Sequence, residues 1–237
     1  MRWMLLGWLL SVLLSPSCWA AASRDFDGTN DYMTVAATNV SLNVGTVAMW
    51  FQSDIDETST TPFYWFDTDS ARHAFYHNNN GSSKIQMYND GRSTDFDVAW
   101  TTTAWHHVIF MYNKTGNVQR VWLDGVEGTG TTPGGTWGST ALGTNAYLAL
   151  RFSLTQIYNG RLAHIHVYNR VIGDWEVNQL RFFPPSVPDG MLVYLPTFGT
   201  ASPEEDLSGR GATATVTGPP DAFADGPPIL MTAGVGL

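Results

Sequence analysis

The sequence predicts an all-β protein, a two-sheet antiparallel β-sandwich with one short helix near residues 173–182. Apolar and polar residues alternate in short runs between Gly, Asn and Asp clusters, the mark of half-buried strands. These runs recur at short spacing along most of the chain, and only one stretch has helical periodicity. Many short strands with almost no helix pack as a sandwich or barrel.

The chain opens MRWMLLGWLLSVLLSPSCWAAAS. A single arginine, an apolar run from Met4 to Leu14, Pro16 and then small residues read as a secretory signal peptide over residues 1–22. The run is short for a bilayer span, so no membrane insertion is expected after cleavage. Export to the extracellular space or periplasm is the expectation. Cys18 is the one cysteine of the chain, so a processed protein has no disulfide and relies on packing. About 215 residues then remain, enough for one domain that buries roughly 70% of its unfolded surface. The expected domain covers residues 23–228, with an apolar tail at 229–237.

Strands are expected at Asp31–Ala36 and Gly45–Asp54. In the second, Val47, Met49 and Phe51 share one face, and Ala48, Trp50 and Gln52 the other. PFYWFDTD, RHAFYHNNN, KIQMYND and STDFDVAW follow as strands separated by Asn/Gly/Ser turns. Later strands are expected at Leu148–Phe152, Gly160–Asn169, Met191–Leu195 and Ala212–Thr217. The helix falls on IGDWEVNQLRFF, with Asp174 as its cap and Trp175, Val177 and Leu180 at helical intervals. Pro184 and Pro185 stop it.

The stretch AWHHVIFMYNKTGNVQRVWLDGVEG reads as a hairpin. Val108, Phe110 and Tyr112 share a face with His106, while Ile109 and Met111 share the other with His107. Neighbouring histidines on a strand point apart and cannot jointly hold a metal. On the return strand Val121 and Leu123 face the core, and Arg120, Trp122 and Asp124 face away. Asp124-Gly125 is a tight-turn pair that tolerates positive φ. A second short hairpin then leads into VEGTG.

This hairpin resembles the central one of the laminin G-like, or concanavalin A-like, jelly-roll family, whose members typically carry Trp-His-His-Val and a return strand ending Asp-Gly. RDFDGTNDYMTV resembles the family's opening strands, GTVAMWFQ the next, and NGRLAHIHVYNRVIGDWEVNQL its late strand and short helix. The resemblance implies two antiparallel sheets packed face to face. Relatives include lectins, carbohydrate-binding modules, adhesion domains, glycoside hydrolases and spacers, so the fold leaves function open. Calcium is the family's usual cofactor. By resemblance its first half would be Asp27, the Gly28 carbonyl and Asp31. Ala163 and His164 stand where the late strand's acids would be, which leaves an ion that wants six to eight oxygens poorly supplied.

A net charge of −9 argues against nucleic acid and anionic membranes. The family's glycosidases carry Glu-x-Asp-x-x-Glu, a pattern absent around Glu57, Glu127, Glu176, Glu204 and Glu205. Three Asp-x-Asp pairs, 54/56, 67/69 and 95/97, leave open a glycan hydrolase using aspartates. The favoured expectation is a secreted, non-catalytic, lectin-like domain for glycan or another cell-surface ligand. A structural or adhesive subunit is the alternative. Sugar sites need aromatic faces beside amides or carboxylates. Tyr64, Trp65, His73, Tyr76, His77, Asn79, Tyr88, Arg92 and Trp100 are the candidates to line one concave face or its rim. Trp122 on the hairpin's non-core face is a further candidate, and Trp137 is the loop candidate.

Overall fold

The computed structural model describes residues 22–78, 85–131, 134–198, 200–218 and 220–229. All but the last residue of the expected signal peptide, and all but the first of the expected tail, lie outside these. Asn79 lies outside them too.

The strands are β1 (Ser23–Asp27), β2 (Tyr32–Ala36), β3 (Val44–Ser53), β4 (Phe63–Ser70), β5 (His73–His77), β6 (Ile85–Asn89), β7 (Arg92–Asp97) and β8 (His106–Asn113). They continue as β9 (Val118–Leu123), β10 (Val126–Glu127), β11 (Thr129–Gly130), β12 (Leu142–Leu148), β13 (Asn159–Tyr168), β14 (Met191–Leu195), β15 (Thr215–Thr217) and β16 (Asp221–Phe223). One α-helix, α1, spans Asp174–Phe182. The first sheet runs β10-β9-β8-β3-β13-β1-β16, with β14 also on β13. The second runs β11-β7-β6-β5-β4-β12-β2-β15. Every strand pairing is antiparallel, as a sandwich of hairpins and Greek-key connections requires.

The main core lies between the sheets. Val47, Met49 and Phe51 of β3 meet Phe63, Trp65, Phe75 and Met87 of the second sheet. Val108, Phe110, Tyr112, Val121 and Leu123 are buried there as the alternation predicts. A second apolar layer covers the outer side of the first sheet, where Ala48, Ile109, Met111, Tyr168 and Tyr194 pack with Val177 and Leu180 of α1. This explains why β3 is buried on both faces: one side meets the other sheet and the other meets the helix.

The structure revises several expectations. β12 ends at Leu148, and Ala149, with φ of 65°, turns the chain out of the sheet before Phe152. The strand expected at Leu148–Phe152 is therefore the preceding one, Leu142–Leu148, followed by a loop. VEGTG divides between the sheets, β10 pairing with β9 and β11 with β7. Gly173, not Asp174, occupies the N-cap of α1, and its N–H donates to Glu176 at 2.6 Å. Trp175 is 68% exposed, whereas Glu176 is buried. Arg170 grips Glu176 at 2.6 and 2.7 Å, so the carboxylate takes the inward position left by the tryptophan. Among the described residues no helix is long and apolar enough to cross a membrane.

Candidate functional site

The outer side of the second sheet presents aromatic and polar side chains together. Tyr64 stands opposite Tyr76, Tyr76 opposite Gln86, and Gln86 opposite Asp95. Directly opposed residues share a face, so these four make one row across β4 to β7. Their neighbours Phe63, Phe75, Ile85, Met87 and Phe96 all enter the core. The next row carries Tyr88 opposite Ser93.

The rings of Tyr64 and Tyr76 stack at 4.5 Å with an interplanar angle of 8°. Tyr64 is nearly covered, while Tyr76 and Tyr88 keep open surface. Burial, the largest influence, pushes the Tyr76 phenol up, so it stays a neutral hydrogen-bonding group. Gln86 donates its amide to Asp95 at the β7 side of the row.

A bulge in β4 sets this face. The register shifts between Tyr64 and Phe66, so Trp65 and Phe66 both turn inward and Asp67 turns outward. Asp67 accepts Arg72 at 3.0 and 3.3 Å, the Thr68 N–H at 2.9 Å and the Phe152 N–H at 3.2 Å. Burial raises its carboxyl pKa, with Arg72 and these amides acting in the opposite direction. The paired carboxylate fixes Arg72, whose guanidinium lies 5.9 Å from the Tyr64 ring centre, 5.4 Å from Tyr88 and 5.0 Å from Phe152. The loop after β12 brings in a second cation. Arg151 lies 5.7 Å from the Tyr64 ring and donates to Gln156 at 2.8 Å. The result is a floor of tyrosines with a wall of Arg72, Arg151 and Phe152.

Only part of the expected site meets here. Tyr76 and Tyr88 share the face, and Tyr64 lies between Tyr76 and the arginines. Trp65 is 0% exposed and packs on Phe51, Phe63 and Phe110 in the core. Trp100 is also buried, its Nε1 donating to the Ile55 carbonyl at 3.1 Å. Neither has a ring face to offer, which corrects the expectation that they line a surface. His73 and His77 are buried as well, His73 beside Asn89 at 2.6 Å and His77 on the Ser59 carbonyl at 2.9 Å. Trp122 lies on the outer side of the first sheet under Arg120, a sheet away from the tyrosines. Arg92 lies 5.6 Å from the Trp137 ring, and Trp137 donates to Asn117 at 2.9 Å while packing on the core edge. These two close one end of the sandwich rather than joining the face.

Arg72, Arg151, Gln86 and Phe152 were not singled out from sequence. Asp67 and Arg72 flank a turn, which is the one local signal that could have found them. The histidines of the hairpin point apart as expected. His106 pairs with Asp124 at 2.6 Å, and His107 packs on Trp50 at 5.1 Å.

The first-hairpin acids make turn contacts. Asp27 accepts the Thr29 and Asn30 N–H groups at 2.7 and 3.2 Å, framing a turn in which Gly28 has φ of 72°. Asp31 is buried, and one of its oxygens accepts the Asp27 N–H at 3.4 Å. Asp27 lies opposite Asn159, so Ala163 is four residues further along β13, about 13 Å away at the usual strand rise. Among the described residues no group of three His, Cys, Asp or Glu side chains could hold a metal ion.

Solved structures show the same fold at low identity. A Bacteroides ovatus protein named as a candidate carbohydrate binder superposes with a TM-score of 0.68 at 14% identity, over 90% of this chain and 62% of its own. The chain thus spans under two thirds of that protein. Domain 4 of an extracellular arabinanase from Geobacillus stearothermophilus, in complex with arabinotriose, gives 0.52 at 16% identity over 67% of this chain and 75% of its own. A heptameric SAP-like pentraxin from Limulus polyphemus gives 0.52 at 11% identity over 72% and 84%. A search of curated protein sequences gives no match. A family model matches residues 27–178. On that match, the chain belongs to the concanavalin A-like lectin/glucanases superfamily.

Proposed function

We propose that this chain is a secreted, non-catalytic, lectin-like domain that binds glycan on the outer face of its second sheet. The carrying observation is the stacked Tyr64–Tyr76 pair with Tyr88 and Gln86 on the outer side of the second sheet, the sheet that α1 does not pack against. An aromatic surface takes the C–H side of a sugar, and the adjacent amide and carboxylate take its hydroxyls. The arabinotriose-bound arabinanase domain shares the sandwich, and fold likeness is support by analogy only. The N-terminal Arg-apolar-small pattern supports export.

Asp67 is the most buried member of the three Asp-x-Asp pairs, and all its acceptor capacity is used by Arg72 and two backbone amides. Its role in this account is to hold Arg72 in place.

The test is a glycan array probed with the wild-type protein, Tyr76→Ala and Trp175→Ala. Trp175 is an exposed aromatic on α1, which covers the opposite sheet. The expected result is a defined set of bound glycans, lost in Tyr76→Ala and kept in Trp175→Ala. An empty array with folded wild-type protein would refute the reading.

A further inference from the structure

We propose that the tyrosine face selects glycans bearing a carboxylate, which Arg151 receives; this rests on the glycan-binding reading above. Two guanidiniums lie over one ring, Arg72 at 5.9 Å and Arg151 at 5.7 Å from the Tyr64 centre. They differ in what they already hold. Arg72 is matched by the fully buried Asp67 through two hydrogen bonds. Arg151 bonds only a neutral partner, Gln156, and forms no ion pair among the described residues. Its Nε is buried without a hydrogen-bond acceptor. That atom is closed to solvent, so a ligand would meet the outer edge of the half-buried side chain, and a planar carboxylate is the natural complement of a guanidinium without a counter-charge.

Charge is distributed unevenly along the row. The Arg151 end has two cations against one carboxylate, in a chain whose net charge is −9. The other end has Asp95, held by Gln86 on β6. Three strand spacings separate β4 from β7, about 14 Å, roughly two to three sugar units. Such a face orients an oligosaccharide: an acidic residue at Arg151, a ring against Tyr76, and neutral hydroxyls toward Gln86 and Asp95. Arg72 stays committed to Asp67 and supports the tyrosines rather than the ligand.

The experiment compares an array of neutral and carboxylated glycans, hexuronates included, bound by wild type, Arg151→Gln and Arg151→Lys. Thermal melts of each variant confirm folding. The wild type is expected to favour carboxylated glycans. Arg151→Gln should weaken them at least about tenfold, and Arg151→Lys should weaken them less because the charge remains while the fork is lost. Methyl esterification of the best-bound glycan should weaken it to the same degree as Arg151→Gln. If the wild type binds neutral glycans as well as acidic ones, and Arg151→Gln changes nothing, carboxylate selection is overturned while glycan binding stands. If no glycan of either class is bound, both fail together.

Discussion

Trp65 and Tyr76 belong to adjacent strands of one sheet and do opposite work. Trp65 fills the space between the sheets beside Phe51 and Phe110. Trp65→Ala is therefore expected to cost about 3–5 kcal/mol in chemical denaturation, from lost burial plus the cavity left behind. A loss under about 1 kcal/mol would mean that the ring is not where the structure places it. Sequence alone did not separate the inward ring from its outward neighbours, because alternation fails at the β4 bulge. Without the register shift, Trp65 and Tyr64 read as equal candidates. A second buried residue was equally illegible. Arg24 is 0% exposed and pairs with Glu204 at 2.6 Å, joining β1 to a segment 180 positions away. No local pattern announces such a pair. Glu204→Gln leaves the arginine without its counter-charge and is expected to destabilise the fold by about 3–5 kcal/mol. A melting temperature unchanged from wild type would contradict that reading.

The β8–β9 hairpin was the most legible element, since the period of two sorts its side chains correctly between core and outer face and Asp124-Gly125, with φ of 52° and 81°, marks where β9 turns into β10. The helix was legible in extent but not in orientation. Its periodicity pointed Trp175 inward, yet Arg170 and Glu176 reverse the choice between two adjacent positions. Leu180→Ala should cost about 2–5 kcal/mol because Leu180 lies fully under the helix. Trp175→Ala should stay within about 0.5 kcal/mol. Equal losses in urea melts would show that the helix packs by its other side. The loop after β12 was the least legible element, and it carries Arg151. Its positive-φ positions are Ala149, Leu154 and Gln156, not glycines, so no turn residue marks it.

Across the whole molecule, burial holds four of the histidines, His73, His107, His164 and His166, in their neutral form. Burial is the main cause, holding His73 and His164 at about 4 and His107 at about 3, the last also lowered by Arg181; His166 lies well below the ordinary value. Unfolded, each takes a proton near pH 6.5. Below that pH the unfolded chain binds protons that the folded chain refuses, so stability falls as pH drops from about 6.5 toward about 4. Above 6.5 this penalty is absent. Each histidine contributes at most about 1.4 kcal/mol per pH unit in that window. Asp124, Glu176 and Asp206, held below the usual carboxylate range by their partners despite burial, lose their contribution only at lower pH. The expected result is a melting temperature that is level from pH 8 to 7 and drops steadily between pH 6 and 4. A flat profile down to pH 4.5 would contradict it.

Among the described residues α1 packs on the first sheet and leaves the outer side of the second to the tyrosine row, which is where the proposal puts the ligand. Hydrogen–deuterium exchange of the protein with and without an array-identified glycan tests this directly. The account predicts slowed exchange in β4 to β7 and in the loop carrying Arg151 and Phe152. Slowing confined to α1, to the β8–β9 hairpin or to the end closed by Trp137, with the second sheet unchanged, would contradict it.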